Sequence, residues 1–149
     1  MTTLPYETAS NGDRALAEAQ RMLARFNVQA FGAMTDYERD CIIVQFRHGG
    51  RHVHVEASIK GYADAWLKHH PHSSRVRASR DEHMRKAQNI ARHAVCSILR
   101  DWIKAQVTAV ETGVFSFEAA FIAQTMLPGG ITVAQYVDRQ HLLPSGQQQ

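Results

Sequence analysis

Residues 79–113 read SRDEHMRKAQNIARHAVCSILRDWIKAQVTAVETG, and they decide the fold. Ser79 stands three residues before Glu82, the S-x-x-E pattern in which side chain and backbone satisfy each other's free donors at a helix start. Gly113 follows Thr112, where a left-handed residue ends a helix. Neither proline nor glycine interrupts 81–112, so the spacing predicts one rod of roughly 48 Å at 1.5 Å per residue. At 100° per residue, Met84, Ala87, Ala91, Ala94, Val95, Ile98, Trp102, Ala105 and Ala109 fall on one side. Lys86, His93, Arg100 and Lys104 line the other, beside Asn89. The expectation is an apolar face packed on a sheet or a second helix, with a cationic face opposite.

Working outward, residues 73–80 form a basic linker with Arg75, Arg77 and Arg80. His69-His70-Pro71-His72 breaks a short helix over 58–67 that holds Tyr62 and Trp66. Before it lie two clear strands, 41–47 and 51–57, joined by Gly49-Gly50, a two-residue hairpin signal. That loop opposes Phe46 to Val53, Val44 to Val55, Gln45 to His54 and Arg47 to His52. Apolar meets apolar and polar meets polar, so register and pattern agree. A weaker strand is expected over 28–34, interrupted by Gly32, with a polar turn over 36–40. A first helix over 13–26 turns Leu16, Ala19, Leu23 and Phe26 to one face, capped by Ser10 or Asn11.

After the rod, Ser116 caps a helix over 117–126 with Phe117, Phe121 and Ile122 inward. Leu127-Pro128-Gly129-Gly130 turns the chain, and Thr132 with Gln135 opens a short helix to about Asp138. Residues 1–10 read as a loose arm and 143–149 as a disordered tail ending in three glutamines. The sum is one α+β domain over 1–149: helix, three-stranded antiparallel meander, long helix, short C-terminal helices.

The chain has 149 residues, 44% hydrophobic, with formal net charge +3 and pI near 9.1. That permits a phosphate-rich partner. Cys41 and Cys96 sit in apolar runs and read as buried free thiols of a reducing compartment. The first ten residues lack an apolar core and no run approaches a membrane span, so a cytoplasmic protein with no membrane partner is expected.

No G-x-S-x-G, G-x-x-x-x-G-K-[ST] or G-x-G-x-x-G occurs, which leaves acyl transfer, nucleotide hydrolysis and dinucleotide binding without support. Asp81-Glu82 at a helix start needs only a capping and dipole role. His52-x-His54-x-Glu56 places three metal-ligating types on one strand face, and the His69-His70-Pro71-His72 loop could offer a further ligand. Such residues on an open hairpin face are ordinarily solvated, and no closed site is visible. A non-enzymatic protein without cofactor or metal is expected. Phosphate recognition is better supplied. The candidates are Arg47, Arg51, His52 and His54 on the hairpin, Arg75, Arg77 and Arg80 in the linker, and Arg85, Lys86, His93, Arg100 and Lys104 on the rod. Guanidinium forks fit phosphate oxygens and lysine adds point charge. Tyr37, Tyr62 and Trp66 could stack on bases or fill the core.

Helix, three strands and a basic-started helix resembles the order of double-stranded RNA-binding domains, in topology alone. Trp102-Ile103-Lys104-Ala105, residues 110–118, Phe121 and residues 127–133 resemble a family of small proteins carried by tailed bacteriophages and prophages. The helix end at Arg25-Phe26, Phe31 and the hairpin Arg51 belong to the same resemblance, which spans most of 13–137 apart from the linker. The chain departs from that family at Asp101, where an arginine before the tryptophan is usual, and at Gly129-Gly130, where Asp-Gly is usual; no arginine role carries over to position 101. The resemblance implies a mobile-element protein of the bacterial host cytoplasm, and it brings no activity with it. Three functions follow as expectations: a binder of nucleic acid, an anti-defence protein that sequesters a small nucleotide or blocks a host defence protein, and a purely structural or partner-binding protein whose rod pairs with itself, as a homo-oligomer, or with another chain.

Overall fold

A computed structural model describes residues 3–146. Helix α1 (Gly12–Arg25) leads into strands β1 (Ala30–Asp36), β2 (Cys41–His48) and β3 (Arg51–Ser58), then helices α2 (Ile59–His69) and α3 (Arg80–Glu111). There follow α4 (Phe117–Phe121), a 3-10 turn (Ile122–Gln124), β4 (Met126–Leu127), β5 (Ile131–Thr132) and α5 (Val133–Arg139). The fold is α+β. Residues 147–149 of the expected tail, and Met1 and Thr2 of the expected arm, lie outside the described residues.

Local chemistry places most boundaries. The Ser79 hydroxyl accepts from the Glu82 amide at 3.2 Å, and the Glu82 carboxylate accepts from the Ser79 amide at 3.3 Å. Gly113, at φ 76°, donates to the Val110 carbonyl and stops α3. Thr132 and Gln135 make the second reciprocal cap, at α5. Gly49 and Gly50 both have positive φ, as a two-residue hairpin of right-handed twist requires. The β2–β3 register matches all four expected pairs.

β1 starts two residues later than expected. Asn27 is left-handed (φ 63°), its amide reaches the Ala24 carbonyl and that of Val28 reaches Leu23. This Schellman closure draws Val28 into the end of α1 and out of the strand. The helix expected over 117–126 also ends early. Thr125 forms a bridge to Val53, and Met126–Leu127 pairs with Ile131–Thr132, so strand pairing replaces the last helical turn. Ile122, expected inward, is half exposed, while Phe121 is fully buried against Phe46 and Trp102.

The single-sided projection of α3 holds at Ala87, Ala91, Ala94 and Val95, which are buried, and fails elsewhere in an informative way. Its buried residues include a seam spaced by four, His83, Ala87, Ala91, Val95, Leu99, Ile103 and Val107, widened at mid-helix by Ala94, Cys96 and Ser97. Met84, Ile98 and Ala105 are exposed instead. A spacing of four advances the stripe by about 40° per step, so the contact face winds around the rod. Its neighbours change along its length. His83 meets Trp66 of α2, His93 and Cys96 meet Gly12 of α1, and Gln106 donates to the Ala120 carbonyl of α4. At Gly12 an added Cβ would lie 3.0 Å from the Cys96 sulfur, so glycine sets the α1–α3 approach.

Ile42, Val44, Phe46 and Val53 face this helical layer in one apolar core. Period two then turns Gln45, Arg47, His52, His54 and Glu56 to the opposite, open face. Both cysteines are buried free thiols, and burial pushes each thiol pKa up. The arm from Thr3 to Ser10 does not hang free. The Tyr6 hydroxyl donates to Asp101 at 2.6 Å, Tyr62 donates to the Pro5 carbonyl at 2.6 Å, and Glu7 sits 3.1 Å from His70. Among the described residues no helix is long and apolar enough to cross a membrane.

Candidate nucleic-acid interface

The fold divides the twelve expected phosphate-binding residues into three groups. Arg47, His52 and His54 of the hairpin group do not share a surface with α3, because the sheet lies between them. On the open face Arg47 is exposed, His52 bonds Gln45 at 3.1 Å, and His54 bonds Glu56 at 3.0 Å. Glu56 also takes Arg39, and these hydrogen bonds, His54 first, hold its carboxyl below the usual range. Arg51 points the other way and pairs with Glu118 at 2.7 Å. Among the described residues no three His, Cys, Asp or Glu side chains are grouped so as to hold a metal.

The middle of α3 is neutralised by α1 and by the rod itself. Arg92 pairs with Asp13 at 2.9 Å; Arg100 pairs with Asp101 at 3.0 Å and Glu18 at 3.5 Å. The Tyr6 hydrogen bond and Arg100 together keep the Asp101 carboxyl below its ordinary pKa. His93 uses Nδ1 to accept from the Gly12 amide at 2.9 Å, so it serves the α1 N-terminus. These residues belong to packing, which corrects the idea that the whole rod presents one cationic line. Lys104 is exposed further along, near Asp101, with no ion pair among the described residues.

The third group stays together. Arg75 and Arg77 in the linker and Arg80, Arg85 and Lys86 on the first two turns of α3 are all exposed. None makes an ion pair among the described residues. Lys68 and His69, in the last turn of α2, lie at the same end. Histidines hold the segment in place. His83, buried, bonds the His70 carbonyl at 2.6 Å through Nε2, and His72 bonds the Ala78 carbonyl at 2.9 Å. Trp66 is buried under His70, its ring centroid 4.5 Å away, with the Lys86 ammonium 5.9 Å above its ring. Trp66 and Tyr62 therefore pack, and neither is free to stack on a base.

Reading the sequence missed Lys68 and His69. Their signal was the position of α2, whose last turn runs straight into the histidine break and so must sit beside the start of the rod. Comparison with protein families, with curated proteins and with solved structures finds no match to this chain.

Proposed function

We propose that this chain binds nucleic acid through the cationic end formed by the last turn of α2, residues 73–80 and the first two turns of α3. One observation carries the reading. Arg75, Arg77, Arg80, Arg85, Lys68 and Lys86 are exposed along the end of α2, the linker and the first two turns of α3, with no carboxylate partner among the described residues, whereas the arginines elsewhere on α3 are paired. Unpaired guanidinium groups keep their donors for phosphate oxygens. The histidine bonds to carbonyls hold the linker in one shape, which lowers the ordering cost of binding.

The chemistry is that of backbone contact. With Trp66 and Tyr62 packed, the end offers charge without an aromatic platform, so binding should depend little on base sequence. The cations face outward rather than into a cavity, which suits a polymer better than a single nucleotide. The phage-family resemblance of residues 102–133 forms part of the same proposal and supplies a setting, not a ligand.

Titration of labelled single- and double-stranded oligonucleotides at several salt concentrations tests it. Log affinity should fall linearly with log salt, with a slope of about −0.9 per phosphate contacted on duplex DNA. Absence of binding at low salt by folded protein would remove the proposal.

A further inference from the structure

The two edges of the meander are treated differently. The outer edge of β3 is covered by the Val53–Thr125 bridge and by the segment carrying β4. The outer edge of β1 has no partner strand among the described residues. Residues 30–35, Ala-Phe-Gly-Ala-Met-Thr, carry no charge and no proline, the usual devices that blunt a free edge. Met34 is 55% exposed. A Cβ placed on Gly32 would meet nothing within 4 Å, so no packing among the described residues explains a glycine there. Glycine in a strand weakens it, and it often marks the close approach of something else. Over Gly32 lies an open groove of about 520 Å³, lined by Met34, Ile43, Gln45 and Arg47.

We infer that this edge pairs with the same edge of a second copy, antiparallel about a two-fold axis at Ala33, joining two meanders into one six-stranded sheet. That register uses all seven residues of β1, since 30 opposes 36 and 32 opposes 34. It keeps open-face residues on the open face in both copies, as strand periodicity demands. The exposed Met34 of each copy then lies over Gly32 of the other and fills its groove. Asp36, the only charge in the strand, never faces itself. It opposes Ala30 of the other copy, which pairs within its own sheet with Arg47. The Asp36 Oδ1 accepts from the Glu38 and Arg39 amides, and at about 4.8 Å per strand spacing Arg47 reaches across one strand to the other carboxylate oxygen. Shape and charge thus complement each other twice, by symmetry. The surface is distinct from the cationic end of α3, so the dimer stands or falls independently of nucleic-acid binding.

Solution mass by light scattering, followed over a hundredfold range of concentration, tests the inference. The wild-type mass should rise from monomer to dimer. Met34→Lys, at an exposed position, should remain monomeric over the same range with an unchanged circular dichroism spectrum. Oxidative cross-linking then fixes the register. Ala33→Cys places two thiols directly opposite each other, within the Cα separation of about 4.4–6.8 Å that a disulfide needs. Thr35→Cys places them roughly 13 Å apart along the strands. Ala33→Cys should form a covalent dimer and Thr35→Cys should not. A strict monomer at every concentration, a dimer that Met34→Lys leaves intact, or equal cross-linking of the two cysteine variants would each overturn it.

Discussion

The first turns of α3 and its middle turns both carry arginine, and the fold treats them in opposite ways. Arg80 and Arg85 have no carboxylate partner among the described residues, while Arg92 and Arg100 are held by Asp13, Glu18 and Asp101. The difference lies in what packs alongside. The middle lies against α1, whose Asp13 and Glu18 face it. The start lies against the end of α2, which brings Lys68, His69 and His70. One helix thus has a middle whose arginines are neutralised by packing and a start whose cations are left to solvent, with Lys104 exposed further along. Positive sequence charge is therefore a poor guide to a binding surface until the neighbouring elements are known.

The sharpest way to break this contrast is to damage the packed half. Ile103 is fully buried. Ile103→Ala should cost ~2–5 kcal/mol by removing buried methyl groups and leaving a cavity. Chemical denaturation reads the loss. Oligonucleotide affinity of the variant that remains folded should not change, because Ile103 lies far along the rod from the cationic end. A parallel fall in affinity would show that the two halves are not separable.

A smaller effect is expected at the start of α3. Ser79→Ala removes one half of the reciprocal cap and should cost about 1 kcal/mol. Because Ser79 lies between Arg77 and Arg80, loosening that turn should also weaken binding. A stability change with unaltered affinity would mean that the linker shape does not matter.

The smallest effect is predicted for Arg100→Ala. Its carboxylate partners are partly exposed, and such pairs contribute about 0–1 kcal/mol. Affinity should be untouched. The acid limb of stability sharpens the point. Asp101 has its pKa lowered in the folded state, so its contribution is present above the ordinary carboxylate value and is lost as pH falls through the lowered one. Asp101→Asn should flatten that part of the acid limb; an unchanged acid limb would count against the Tyr6–Asp101–Arg100 link.

Much of the fold was legible because it rests on local rules. Ser79 with Glu82, Thr132 with Gln135, and Gly49-Gly50 each dictate backbone geometry within four residues. The hairpin register followed from alternation alone. The seam of α3 did not, since it depends on three different neighbours arriving along the rod, and a straight projection assumes one. The partners of Arg51 and Arg92, and the Glu18 partner of Arg100, lie 67, 79 and 82 residues away in α4 and α1, where no short pattern could point. The separation of the hairpin residues from the rod was implicit in the strand alternation. It became visible only once the helices were placed on the Val44 and Phe46 face.

The most direct test compares the salt dependence of oligonucleotide binding in two variants. One replaces Arg75, Arg77, Arg80 and Arg85 with alanine; the other replaces Arg92 and Arg100. The first should lose about one unit of slope for each phosphate contact removed, with affinity near the detection limit at moderate salt. The second should keep the wild-type slope. Equal losses, or a loss only in the second, would contradict the claim that this helix is cationic toward a ligand at its start alone.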